Sequence, residues 1–141
     1  MKSKRAANAL LLDAEDNLLV LWRSETHPHA AFEPDLPGGA VEENEEPDEG
    51  MAREILEETG LVVAIHELRE AATLMHPDFT GTSLIRHSLF GHRVAGVRPE
   101  ITISWEHHRY EWVPLSEIKG LDAPIQRQFE AIIKDGFFDR I

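Results

Sequence analysis

Between Gly39 and Leu61 the chain reads GAVEENEEPDEGMAREILEETGL, nine carboxylates with Arg53 as the single cation. Glu54, Glu57 and Glu58 are spaced to share one arc of roughly 100° on an α-helix. Ala52, Ile55, Leu56 and Thr59 fall on the other side, the expected core face. Carboxylates this close repel. At an effective dielectric of about 20, each close pair costs on the order of a few kcal/mol before screening. No lysine stands at i+4 to offset that cost. A solvated acidic face is one outcome of such a run. The other is a site of hard oxygen ligands for a divalent ion, Mg²⁺ or Mn²⁺.

The helix that carries these acids has readable ends. Pro47 suits a first turn, where its missing N–H has no intrahelical partner. Acids ahead of Ala52 complement the positive end of the helix dipole. Gly60 supplies the stop, since glycine takes the left-handed conformation without a Cβ penalty. Gly50, inside the helix, costs up to ~1 kcal/mol relative to alanine.

Spacing decides between the two outcomes. Gly39, five residues, Glu45, seven residues, then Arg53-Glu54-Ile55-x-Glu57-Glu58-x-Gly60-Leu61 resembles the Nudix box at every fixed position. Leu36-Pro37-Gly38 resembles the usual lead-in to that box. A second stretch, Ser104 to Trp112, is similar to a segment found beyond the box in nucleotide-cleaving members, where Ser-x-Glu-His precedes an aromatic and then Trp.

The resemblance implies an α/β protein, a Nudix-type α/β/α sandwich around a mixed sheet, with residues 1–141 forming a single domain. It implies a metal-dependent hydrolase of a diphosphate linkage in a nucleotide, with Mg²⁺ or Mn²⁺ as cofactor. Glu57 and Glu58, with Glu54 close by, are the implied ligands, and the Gly38 carbonyl is an extra one. Glu106 is the matching carboxylate on the facing loop, completing the metal cluster or assisting the attacking water; Glu111 competes for that role. Either Glu54 or Glu106 serves as base. Arg53 is expected to orient carboxylates from a position one turn from Glu49 and Glu57, and Glu45 to support them or hold a second ion. For substrate, Arg23 is a candidate for phosphate, and Phe32 and Tyr110 for the base, with packing as their alternative role. Trp105 is offered the same two roles.

The substrate expected first is a nucleoside triphosphate, cleaved to monophosphate and pyrophosphate. The Ser-x-Glu-His segment favours a dinucleoside polyphosphate, but Pro37-Gly38-Gly39 lacks the Pro-Lys-Gly of that branch. Pro77, sixteen residues past the box, keeps ADP-ribose open. A nucleotide-binding regulator without activity is the alternative from another class. Its members erode the box, and this box is intact.

The remaining chain supplies the scaffold. Ala6–Leu12 and Leu18–Arg23 read as strands joined by a polar turn. Leu61–Ala72 reads as a strand whose second half also fits a helix, and Ser83–Val94 as another strand. A short turn follows at Leu115, and Asp122 caps a last helix ended by Gly136. The His27-Pro28-His29 loop resembles solvent-exposed turn sequence more than a metal site.

Composition narrows the classes. A net charge of −12 argues against a protein that coats nucleic acid or anionic membrane. No cysteine means no disulfide and no thiolate site. The longest apolar runs have five residues, against ~20 needed to span a bilayer. The expectation is a cytoplasmic monomer or homodimer with a small nucleotide as partner, neither a nucleic-acid polymer nor a membrane.

Overall fold

The computed structural model describes residues 4–26, 31–78 and 80–120. Among the described residues, seven strands and one α-helix follow one another: β1 (Lys4–Leu12), β2 (Asn17–Arg23), β3 (Pro34–Asp35), β4 (Gly38–Ala40), α1 (Pro47–Thr59), β5 (Arg69–Pro77), β6 (Leu84–Arg93) and β7 (His107–Pro114). Short 3₁₀ helices stand at Ile65–Glu67 and Leu115–Gly120. The sheet is mixed, because β1 runs parallel to β6 and antiparallel to β2 and β4.

The topology opens a gap where the site is built. β1 and β2 pair only at Leu12 and Leu18 and then diverge. β4 pairs with β1 on one side of the opening, and β3 with β2 on the other. The Leu36–Pro37 turn bridges them, held by the Ala9 N–H, which donates to the Pro37 carbonyl at 2.8 Å. Two apolar layers fix this frame. Leu11, Leu19, Leu21, Phe90 and Trp112 pack with Met51 and Ile55 of α1. Leu10, Leu12, Leu18, Leu36, Leu89 and Ile118 form the layer on the other face. Alternation within β1 thus feeds both layers, which is why its run is almost wholly apolar.

α1 has the expected ends. Glu46 N–H donates to the Glu49 carboxylate at 2.9 Å, Pro47 opens the first turn, and Gly60 closes the helix at φ 77°. Its core face differs from expectation. Leu56 is 51% exposed, whereas Met51, Ile55, Glu58 and Thr59 are buried. At about 100° per residue these four share one arc of roughly 100°, and Leu56 lies beyond its edge. Burying Met51 and Ile55 contributes about 1.5–3 kcal/mol each.

Three other expectations meet the structure. The strand expected over Leu61–Ala72 begins only at Arg69, where β6 first offers a partner at Gly91. Before it, Leu61 and Val63 pack singly while Val62 is 86% exposed, so the apolar spacing there serves a loop. The alternative helix over Glu67–Ala72 is strand from Arg69 onward. The last helix, Asp122–Gly136, and the His27–His29 loop lie outside the described residues. Among the described residues no helix is long and apolar enough to cross a membrane.

Candidate active site

Glu58 is the most enclosed acid of the box, 2% exposed. The Gly38 N–H donates to its Oε2 at 2.8 Å. Gly38 has φ 151°, and a Cβ there would fall 2.0 Å from the Ala7 carbonyl oxygen, so no other residue fits. The neighbouring Gly39 lies against Glu54: a Cβ would stand 3.0 Å from Oε1. Both glycines let the lead-in chain press directly onto the carboxylates. Burial pushes the Glu58 carboxyl up to about 9; Glu54, Asp35 and Glu106 push the same way and the Gly38 N–H opposes them. Glu54, partly buried, is also raised, first by burial and then by Glu57 and Glu106, against Arg53.

Arg53 organises the acids that are not buried. It donates to Glu45 from two nitrogens at 2.6 and 3.1 Å, to Glu54 at 3.2 Å, to Glu57 at 3.3 Å and to the Ala40 carbonyl at 3.2 Å. Orientation of carboxylates is therefore its structural role, but Glu45 takes the place expected for Glu49, which caps the helix instead. Gly50 is explained by the same contact. A Cβ there would stand 2.9 Å from Glu45 Oε1, so the helix accepts glycine where Glu45 crosses it.

The facing side brings in the loop before β7. Glu106 bears electrostatically on both Glu54 and Glu58. Its carbonyl accepts the Ser24 N–H at 2.8 Å, which ties the loop to the end of β2. Glu111 is exposed and paired with Arg109 at 3.5 Å. Arg23 donates to Asp35 at 3.3 Å. Phe32 is 58% exposed, adopts φ 65°, and stands edge-on to His108 at 5.6 Å. Tyr110 is partly buried against the helix-side layer, where packing accounts for it. Trp105 is 68% exposed, so packing does not account for that ring.

Sequence reasoning missed Asp35, whose charge acts on Glu58 and whose Oδ2 lies 3.8 Å from the buried His107. Three residues ahead of Gly38, it was a carboxylate in the lead-in and so a signal in plain view. Asn8 and His87 carried no local signal. A shallow depression lined by Glu46, Pro47, Asp48, Glu70 and Phe90 contains none of the candidate residues.

The side chains of Glu54, Glu57, Glu58 and Glu106 offer carboxylate oxygens, hard donors that could hold a divalent ion. As they stand, no three acidic or imidazole side chains among the described residues converge on one point. Arg53 draws Glu54 and Glu57 to one side while Gly38 holds Glu58 on the other. A divalent ion held by Glu58 together with Glu54 or Glu57 would require one of those two to turn away from Arg53, and Glu57 is exposed.

Residues 2–132 match the family model described as NUDIX domain. The chain belongs to the NUDIX family. As a NUDIX hydrolase it is a pyrophosphohydrolase acting on a phosphoanhydride. Among curated relatives, the RNA pyrophosphohydrolase of Acidiphilium cryptum is 27% identical, with 90% of this chain and 85% of that one covered. Among solved structures, the MutT protein of Methanosarcina mazei superposes with a TM-score of 0.81 at 30% identity, covering 95% of each chain. A bifunctional NMN adenylyltransferase/ADP-ribose pyrophosphatase of Francisella tularensis, solved with AMP and a manganese ion, superposes with a TM-score of 0.70 at 22% identity over 96% of this chain and 42% of that one. That last likeness is one of fold. The NUDIX fold expected from the box is the fold observed.

Proposed function

We propose that this NUDIX hydrolase uses a divalent cation to cleave the diphosphate linkage of a nucleotide, with a nucleoside triphosphate converted to monophosphate and pyrophosphate as the leading reaction. The observation that carries the reading is Glu58: a buried carboxyl flanked by Glu54 and Glu106, raised by burial to about 9. Burying one carboxyl where the charges of two others act on it costs stability, and a cation is the ligand that recovers it.

Glu54, Glu57, Glu58 and Glu106, with the Gly38 carbonyl, are the proposed ligands. When bound, Mg²⁺ or Mn²⁺ neutralises phosphate charge and lowers the pKa of a water molecule. The manganese in the Francisella structure supports that choice. Glu58 releases its proton on loading, and the Gly38 N–H keeps one of its oxygens fixed. Arg53 holds Glu54 and limits the positions open to Glu57. Water attacks phosphorus, forming one P–O bond as the bridging P–O bond opposite it breaks. Glu54 or Glu106 accepts the water proton. Phe32, with its exposed ring, is offered for base contact, and Arg23 for phosphate if it exchanges Asp35 for substrate.

A second reading has its own support. The Acidiphilium relative is named for RNA as its substrate, which favours the triphosphorylated 5′ end of an RNA chain. The net charge of −12 weighs against a long polymer. A panel of nucleoside triphosphates, dinucleoside polyphosphates, ADP-ribose and a 5′-triphosphorylated oligoribonucleotide, assayed with Mg²⁺ and Mn²⁺, separates the readings by kcat/KM. No turnover of any of them, with or without metal, would refute the hydrolytic reading.

A further inference from the structure

A line of polar side chains crosses the sheet on the face away from α1. Asn8 shares its side of β1 with Leu10 and Leu12, and His87 shares its side of β6 with Leu89, in the layer that excludes the helix. His76 Nε2 lies 2.9 Å from His87 Nδ1, and His87 Nε2 contacts Asn8 Oδ1. Asn8 Nδ2 donates to the Leu36 carbonyl at 3.0 Å and to the Pro37 carbonyl at 3.3 Å.

Chemistry fixes the direction of this line. The two carbonyls only accept, so the Asn8 amide nitrogen must face them and its oxygen must face His87. That oxygen only accepts, so His87 carries its proton on Nε2. Burial, and then His76, push the His87 imidazole down to about 4, against the opposing pull of Asp35. At neutral pH its Nδ1 is therefore a lone pair, 2.9 Å from His76 Nε2; His76 also sets its Nδ1 3.1 Å from the Pro77 carbonyl, which only accepts, so a neutral His76 donates at one of these two contacts.

The line ends on a peptide group that also belongs to the active site. The Pro37 carbonyl and the Gly38 N–H form one planar amide. Its oxygen accepts from Ala9 N–H and Asn8 Nδ2; its N–H donates to Glu58 Oε2. Turning that plane breaks the bonds at both ends. Hydrogen bonds to the oxygen also polarise the N–H and strengthen its donation.

We infer that Asn8, held between the Leu36 and Pro37 carbonyls on one side and His87 Nε2 on the other, is a positioning residue that sets the Pro37–Gly38 peptide plane and through it the Glu58 carboxylate. The inference rests on the catalytic reading of Glu58 only in its last step. Its test therefore uses metal-free protein without substrate, so that a failed substrate panel and a failed relay are distinguishable.

Nitrogen NMR of the imidazoles in the unmodified protein comes first. His87 is expected as the Nε2–H tautomer at neutral pH, and the Nδ1–H tautomer would overturn the inference. Hydrogen exchange of the Gly38 amide comes second. His87→Leu preserves bulk but removes the hydrogen bond to Asn8 Oδ1, and should speed that exchange by about three- to tenfold, the equivalent of one net hydrogen bond. His87→Gln, whose amide still donates, should restore it to near the unmodified rate, with the α1 amides unchanged in both. Equal exchange in the two variants, or faster exchange in Gln than in Leu, would assign His87 to packing and overturn the inference. If His87→Leu does not fold, the tautomer decides.

Discussion

Gly38 N–H meets Glu58 Oε2 at 2.8 Å, and it favours the charged form of a carboxyl that burial otherwise keeps protonated. A divalent ion must compete with that proton. Below about pH 9 each ion bound releases one proton, so the apparent Mn²⁺ affinity should rise about tenfold per pH unit between about pH 6 and 8. Calorimetry in buffers of different ionisation enthalpy measures both the affinity and the proton. An affinity flat across that range would show that Glu58 is already ionised or is not a ligand.

Glu58 also sets a stability prediction for the metal-free protein. Its folded pKa, about 9, lies above its ordinary 4.5. Below 4.5 both folded and unfolded chains hold the proton and nothing is lost. As pH rises towards 9 the unfolded chain ionises first, so stability falls across that window. Glu58→Gln removes the effect while its amide oxygen still accepts from Gly38. The variant should be more stable at pH 7 by about 1–3 kcal/mol without metal, and inactive with it. Denaturant melts in chelator test this, and an unchanged or lower midpoint would contradict it.

Arg53→Lys keeps the charge but loses the planar fork that grips Glu45 with two nitrogens and reaches Glu54, Glu57 and the Ala40 carbonyl together. kcat should fall by about 10²-fold or more with little change in KM, because the carboxylates are misplaced and the substrate is not. A rise in KM at constant kcat would instead make Arg53 a substrate contact.

Glu106→Gln should lower kcat at least about 10-fold more than Glu111→Gln, since Glu106 acts on Glu54 and Glu58 while Glu111 is paired with Arg109 at the surface. Steady-state kinetics at saturating Mg²⁺ provide the comparison. The reverse order would move the facing role to Glu111.

Chelation makes the broadest test. Excess EDTA should abolish turnover, and added Mg²⁺ or Mn²⁺ should restore it. Full activity in chelator would remove the metal from the mechanism altogether.

The sequence by itself determined the box helix, from Pro47 to the left-handed Gly60, and the family to which the chain belongs. Those are local matters: proline, glycine and the spacing of charges act within a few residues of where they stand. Spacing also relates the box acids to one another around the helix, but it leaves open how the helix is turned against the sheet. Packing of Met51 and Ile55 made that choice, sending Glu58 inward and leaving Leu56 and Glu57 outside. The same limit explains Glu106 and Asp35, whose charges reach Glu58 across loops remote in sequence. It applies most fully to Asn8 and His87, seventy-nine residues apart. Their contact depends on the parallel register of β1 and β6, which sets Ala6 opposite His87, and no local pattern in either strand encodes the register of the other.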